Sequence, residues 1–376
     1  MKREIEGNVG GTSDFFGRDY LLRSLFQGVA KGWSFGLCGG PKSGKTSVLY
    51  QLDRVSRAKW KNDPGGLRVV PVIVDLSASK WSKRVLLPEI IWTQLVETLS
   101  EPALRGGSGD LKLPRPVFNS RTELPWETLI RSCADLYREL RGGKGWCRYV
   151  LCIDNGDLLL TKRFKQILPA FLDFVNLKQE HTPVALICSG TRIFREYLFD
   201  EVGHFSKWLR PIVLSPLLEA EARSMINYWL PEASHEEASD LLSITGQHPY
   251  LLARILSEVK ERNLLGNLRS AMDGALIDLE LLFEAIWSEF DLGRGVTYRG
   301  SYAAPEHSLM QFLLDCGEHG TTIRDAEREI GLRPLKDYFE FLEYQCLVER
   351  TLRGNERIVR SRCSLWNEWY RDRVSM

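Results

Sequence analysis

The sequence predicts an α/β protein: a parallel sheet flanked by helices, followed by a helical lid and a small winged-helix unit. Three observations carry that expectation. Short, nearly uniform apolar runs alternate with amphipathic stretches through the first half, at Trp33 to Cys38, Leu67 to Leu76, Arg148 to Asp154 and Val184 to Ser189. Uninterrupted apolarity suits strands buried on both faces, as in a parallel sheet. After residue 217 the apolar spacing turns helical, and the chain ends in three short helices and two strand-like runs.

The elements follow in order. A glycine-rich turn, Gly39 to Gly44, joins the first strand to a helix from Lys45 to about Arg57. Helices are expected over Leu87 to Leu99, Trp126 to Arg141 and Lys162 to Leu177, with a Gly/Pro/Ser-rich loop over 102–124. Helical spacing then marks Leu217 to Leu230, Glu236 to Ile244, Pro249 to Glu261 and Arg269 to Phe290. Residues 291–306 have turn composition and read as a linker. Helices over 308–317, 323–330 and 334–346 precede the runs Leu347 to Leu352 and Arg357 to Cys363, with Gly354-Asn355 as a hairpin turn between them. The expected domains are 1–215, 216–292 and 305–376.

Composition bounds the function. The 376 residues are 44% hydrophobic and 26% charged, the balance of a globular chain long enough for two or three domains. Lys plus Arg total 50 against 49 acids, so no global charge points to a polyanion, and any such contact would need a local patch. The N-terminal stretch has no apolar signal region, and no run approaches the roughly 18 apolar residues of a membrane span, so a cytoplasmic protein with no membrane contact is expected. Eight cysteines occur without a CxxC pair; Cys38, Cys152 and Cys188 fall in strand runs and read as buried small hydrophobes rather than metal ligands.

Gly39-Gly40-Pro41-Lys42-Ser43-Gly44-Lys45-Thr46 matches G-x-x-x-x-G-K-[ST], with a strand before it and a helix, continuing through Ser47, after it. Glycines let backbone N–H groups wrap phosphates, and the helix N-terminus adds positive dipole. Lys45 is expected to reach the β- and γ-phosphates of ATP or ADP, and Thr46 to place its hydroxyl on Mg²⁺. Asp154, ending an apolar strand, is the expected second carboxylate for that metal. The next residue is Asn155, a neutral amide that can orient water but cannot accept its proton. Either hydrolysis is slow or Asp157 supplies the carboxylate; a residue three positions on points elsewhere unless the loop bends, and Asp157 also suits a helix cap. Arg192, after the strand ending at Ser189, is the candidate reader of the γ-phosphate. Lys45, Asp154, Asn155 and Arg192 are thus the candidate reaction residues.

An ordered set of motifs resembles the STAND class of AAA+-related P-loop ATPases. Phe15-Phe16-Gly17-Arg18 with Leu21-Leu22 resembles the F-x-G-R opening of that class. Ser189-Gly190-Thr191-Arg192 resembles its sensor arginine, and Gly246-Gln247-His248-Pro249-Tyr250 the motif of its helical lid. The resemblance implies that Phe16, Gly17 and Arg18 lie beside the adenine and that Pro249 touches base or ribose. It also implies a switch held as a closed monomer by ADP and driven to self-oligomers by ATP. No attached effector is evident, so a separate effector or adaptor chain is expected, in defence or regulatory signalling. The departure is Asn155, where the class usually has an acid.

A DNA-associated role is the alternative, as in replication-origin or transposition regulators that assemble on duplex DNA. The third helix of the winged unit sets Lys336 against Asp337, Glu340 and Glu343, a net −2 that repels phosphates. Leu347 to Met376 carries seven Arg and four acids, net +3, so an arginine wing could lie on a phosphate backbone. Trp366 and Trp369 read as core. Arg192, Arg195 and Arg210 are all candidates for a contact to a neighbour's nucleotide.

Overall fold

The computed structural model describes residues 15–62, 68–78, 86–100, 116, 118, 125–141, 147–161, 169, 171, 184–199, 205–290, 296–298, 301–353 and 356–375. The expected helix over 162–177 and the expected loop over 102–124 lie almost wholly outside these residues. The first half runs α1 (Asp19–Ala30), β1 (Phe35–Cys38), α2 (Lys45–Asn62), β2 (Arg68–Asp75), α3 (Leu87–Ser100), α4 (Pro125–Arg141), β3 (Cys147–Asp154), β4 (Val184–Gly190), α5 (Arg192–Phe199) and β5 (Arg210–Val213).

The five strands form one sheet in the order β2-β3-β4-β1-β5, with every pair parallel. Side chains alternate between its two faces. Val150 and Cys152 join the core built on Leu22, Leu25, Phe26, Leu49 and Leu52 of α1 and α2. Leu151 and Ile153 join the opposite core with Ile90, Leu95 and Leu129 of α3 and α4. Burial on both faces is why these strands read as continuous apolar runs. The register sets Asp75 beside Asp154 at the carboxyl ends of β2 and β3, the edge where open parallel sheets place ligands. The sequence signal missed β5: only four residues long, it lies on the sheet edge and is largely exposed, so it needs no apolar run.

The second half continues with α6 (Glu219–Trp229), α7 (His235–Thr245), α8 (Pro249–Arg262), α9 (Leu268–Trp287), β6 (Val296–Tyr298), β7 (Ser301–Ala303), α10 (Pro305–Cys316), β8 (Thr321–Thr322), α11 (Ile323–Ile330), α12 (Lys336–Tyr344), β9 (Val348–Arg353), β10 (Glu356–Ser361) and α13 (Ser364–Ser375). Their ends are capped chemically. Ser234 accepts the Glu237 N–H at 3.2 Å, and the Glu237 carboxylate accepts the Ser234 N–H at 2.8 Å, a reciprocal box that starts α7. Gly246 closes α7 in the left-handed region at φ 57°. Helices α10, α11 and α12 with the three-stranded sheet β8-β10-β9 make a winged helix.

One expectation needs correction, and one element was not anticipated. Residues 291–306 are not simply a linker: β6 and β7 pair antiparallel within them, and α10 begins at Pro305, whose fixed φ suits a first helical position. The chain after Cys363 forms a further helix, α13, that returns onto α7 and α9. Trp366 and Tyr370 are buried there with Phe283 and Phe290, and Trp366 meets Phe283 edge-on at 5.5 Å between ring centroids. This seam ties the winged helix to the helical segment. Trp366→Ala should cost about 3–5 kcal/mol in denaturant unfolding, whereas Leu281→Ala, at an 83% exposed position, should stay within about 0.5 kcal/mol.

Candidate functional site

The phosphate loop is a tight backbone cradle. Ser43 N–H donates to Gly40 O at 3.2 Å, and Gly39 N–H to Gly190 O at 3.3 Å. Gly44 sits at φ 91°, which L side chains rarely adopt. Lys45 Nζ donates to Gly39 O at 2.7 Å and Gly40 O at 2.8 Å, so its ammonium closes over the loop. Burial pulls that ammonium below its usual range, against the opposing charges of Glu289 first and then Asp154 and Asp157. Ser43 Oγ is buried with no partner. Ser47 is also buried, one turn into α2, while Pro41 and Lys42 are on the outer rim, with Lys42 at φ 56° and its Nζ 5.4 Å from the Tyr250 ring centre.

Asp154 is 3% exposed and joins three elements. Thr46 Oγ1 donates to its Oδ2 at 2.6 Å, and Ser189 Oγ to its Oδ1 at 2.5 Å. Asn155 takes the left-handed region at φ 56°, which Asn tolerates. Its Nδ2 donates to Asp75 Oδ1 at 2.9 Å and Ser77 Oγ at 3.1 Å, so it turns toward β2. Asp157 is occupied elsewhere. Its carboxylate accepts Thr191 N–H at 2.9 Å, Thr191 O–H at 3.0 Å and Phe194 N–H at 3.0 Å, capping α5.

The opening motif and the lid motif flank the same loop. Gly17 and Arg18 both have positive φ, and Arg18 N–H donates to Glu221 Oε1 at 2.5 Å. Phe16 packs on Tyr228 at 5.1 Å between ring centroids. His248, 2% exposed, caps α8 through Nδ1, which accepts Leu251 N–H at 3.4 Å, and its Nε2 lies 3.2 Å from Pro41 O. To meet a carbonyl, Nε2 must carry the proton, so the ring is the neutral Nε2–H tautomer. Burial, with Arg18 and Lys45 nearby, pushes its pKa down to about 4 despite the Pro41 carbonyl. Pro249 follows as the first residue of α8.

Arg192 is committed away from the loop. Its Nη1 donates to Glu289 O at 2.5 Å and to Glu306 Oε1 at 2.7 Å, its Nε to Glu196 Oε1 at 3.0 Å, and the guanidinium lies 4.2 Å over the Phe341 ring. Glu306 is completely buried. Arg195 reaches Glu340 at 3.5 Å, and Arg210 stacks 3.4 Å from the centre of the Trp33 ring.

The sequence reading missed Glu289, Gln345, Glu306, Glu221 and Asp75. None lies in a motif; each reaches its partner by tertiary packing. Gln345, 2% exposed just beyond α12, places Oε1 2.2 Å from where a Cβ on Gly40 would stand, and that oxygen has no partner. Its Nε2 donates to Glu289 Oε2 at 2.7 Å. Burial pushes Glu289 up to about 7, with Lys45 and the Gln345 amide pulling the other way.

These residues fit a nucleotide and its metal. Side chains at Gly39 or Gly40 would fill the cradle, the buried Ser43 hydroxyl lacks a partner, and Thr46 with Asp154 offers the hard oxygen donors that Mg²⁺ takes. No family model and no curated protein matches the sequence. Among solved structures, the Walker-type ATPase of Pyrococcus abyssi overlays with a TM-score of 0.55 at 15% identity, over 95% of this chain and 96% of that one. The chain has the fold of that Walker-type ATPase. Looser overlays are the Orc1 protein of Aeropyrum pernix in complex with DNA, at 13% identity, 98% of each chain and a TM-score of 0.45, and the Cdc6p protein of Pyrobaculum aerophilum, at 15% identity, 98% and 97%, and 0.44.

Removing one partner of a buried ion pair strands the other. Arg192→Ala should therefore lower stability by about 3–5 kcal/mol, while the double variant Arg192→Met with Glu306→Leu should recover most of the loss in denaturant unfolding.

Proposed function

We propose that the chain is an ATP-binding, slowly hydrolysing switch of STAND type that oligomerises in a nucleotide-dependent way and acts with a separate effector chain. The observation that carries this reading is the cover over the phosphate loop. Gln345 from the winged helix abuts Gly40, and His248 from the lid holds Pro41, so nucleotide state and domain arrangement share the same atoms. Thr46 and Asp154 would hold Mg²⁺, which neutralises charge at the phosphates. Lys45, turned from the two loop carbonyls, would take the terminal phosphates, Phe16, Gly17 and Arg18 would lie beside the base, and Pro249 would touch base or ribose.

Slow turnover follows from the carboxylates. Asp154 has both oxygens engaged, Asp157 is a helix cap, and Asn155 accepts no proton. Because Asn155 faces Asp75, a carboxylate at position 155 alone would meet a like charge. Asn155→Glu combined with Asp75→Asn should raise ATP turnover by about tenfold or more, with the single Asn155→Glu variant gaining less, measured as phosphate release.

The wing supports the DNA-associated alternative. Leu352, Arg353 and Arg357 are exposed at its tip, with Leu352 74% exposed. Against it, Arg350 and Arg360 are paired with Glu343 and Glu349, and α12 packs on α5 through Glu340 and Phe341. That helix is not presented to a groove. Particle mass in solution separates the readings. Growth from monomer to a defined oligomer with Mg-ATP, and not with Mg-ADP, is expected; growth only when random duplex DNA is added would favour the alternative.

A further inference from the structure

Glu289 lies in the turn just beyond α9, far in sequence from the phosphate loop but joined to it in space through Gln345. Two hydrogen bonds hold it there, and one of the partners abuts the loop. Its carboxylate accepts Gln345 Nε2 at 2.7 Å, its backbone carbonyl accepts Arg192 Nη1 at 2.5 Å, and the same Gln345 stands against Gly40. Among the charges acting on Glu289, Lys45 is the strongest, and Glu289 is the strongest acting on Lys45. Lys45 is the group that the terminal phosphates of a bound nucleotide need. The other two acids that act on Lys45 are accounted for, Asp154 by Thr46 and Ser189, and Asp157 by α5. Glu289 has no comparable local task. Beside it, Gln345 Oε1 is a buried acceptor with no donor, aimed at Gly40.

We propose that Glu289 is the residue that makes this closed chain prefer a nucleoside diphosphate to a nucleoside triphosphate. Ionised above about pH 7, its carboxylate, bonded by Gln345, adds negative charge near Lys45, where a γ-phosphate would place its own. A diphosphate leaves that charge in place. A triphosphate must displace Glu289, and with it the Gln345 contact to Gly40 and the Arg192 bond to the Glu289 carbonyl. Those contacts join the lid and winged helix to the loop, so displacement would be felt outside the nucleotide site. This inference rests on the reading of Gly39 to Thr46 as a nucleotide site.

The test is equilibrium binding of ADP and ATP to the full chain with Mg²⁺, by calorimetry at about pH 8, where Glu289 is mostly ionised, for wild type, Glu289→Gln and Glu289→Ala. Glu289→Gln is nearly isosteric, keeps an amide to pair with Gln345, and leaves the backbone carbonyl that Arg192 uses; Glu289→Ala is the second uncharged form. Wild type should bind ADP about tenfold or more tightly than ATP. Both variants should tighten ATP by about that factor while moving ADP by less than about twofold. An unchanged ADP-to-ATP ratio in the two variants overturns the proposal, as does an equal gain for both nucleotides. Lys45→Ala separates the underlying reading: if it leaves both affinities intact, the loop is not the nucleotide site. Loss of both in Lys45→Ala, with the ratio unchanged in the Glu289 variants, overturns the role of Glu289 alone.

Discussion

The buried Glu306 carboxylate is the constraint that organises the closed arrangement. A carboxylate with no exposure inside an aromatic core is tolerable only if a cation reaches it. Arg192 does so from the start of α5, 2.7 Å away, and the same guanidinium crosses to the carbonyl of Glu289 and lies on the face of Phe341. One side chain thereby joins the sheet domain, the end of the lid and the winged helix. Release of this arginine would remove the cation that Glu306 meets at 2.7 Å, together with the guanidinium's contacts to the Glu289 carbonyl and the Phe341 ring.

With the winged helix held in this way, its residues become part of the phosphate site. Gly40 has no side chain, and that absence is what lets Gln345 approach. Pro41, one residue on, offers its carbonyl to the neutral ring of His248. The residues of the phosphate-binding signature therefore meet the C-terminal half of the chain and, in the proposed function, a nucleotide's phosphates as well. Under the proposed function, competition between those partners would be a direct physical route from nucleotide to domain arrangement.

The arginines near the C-terminus show how little a local charge count decides. Seven arginines against four acids in that segment suggest an open basic surface. In the fold, Arg350 and Arg360 meet Glu343 and Glu349, and Arg373 meets Glu284, leaving the exposed wing tip as the basic part. The acidic third helix is likewise engaged: Glu340 reaches Arg195 of the sheet domain and Glu343 pairs with Arg350.

The sequence by itself determined the parallel sheet and the phosphate loop, because those features follow from local rules. Apolar runs report strands buried on both faces, and a glycine turn between strand and helix builds its own cradle. It also determined that Asn155 cannot accept a proton. The edge strand β5 and the returning helix α13 were less legible, since an exposed strand needs no apolar run and Trp366 needed a partner helix before its burial meant anything. Where Arg192 points, what Asp157 caps, and that Glu289 and Gln345 stand over the loop, only the tertiary structure decided. The physical reason is separation: Gln345 and Gly40 lie about 300 positions apart in the chain. Contacts at that distance come from how whole domains pack, and no spacing of residues encodes them locally.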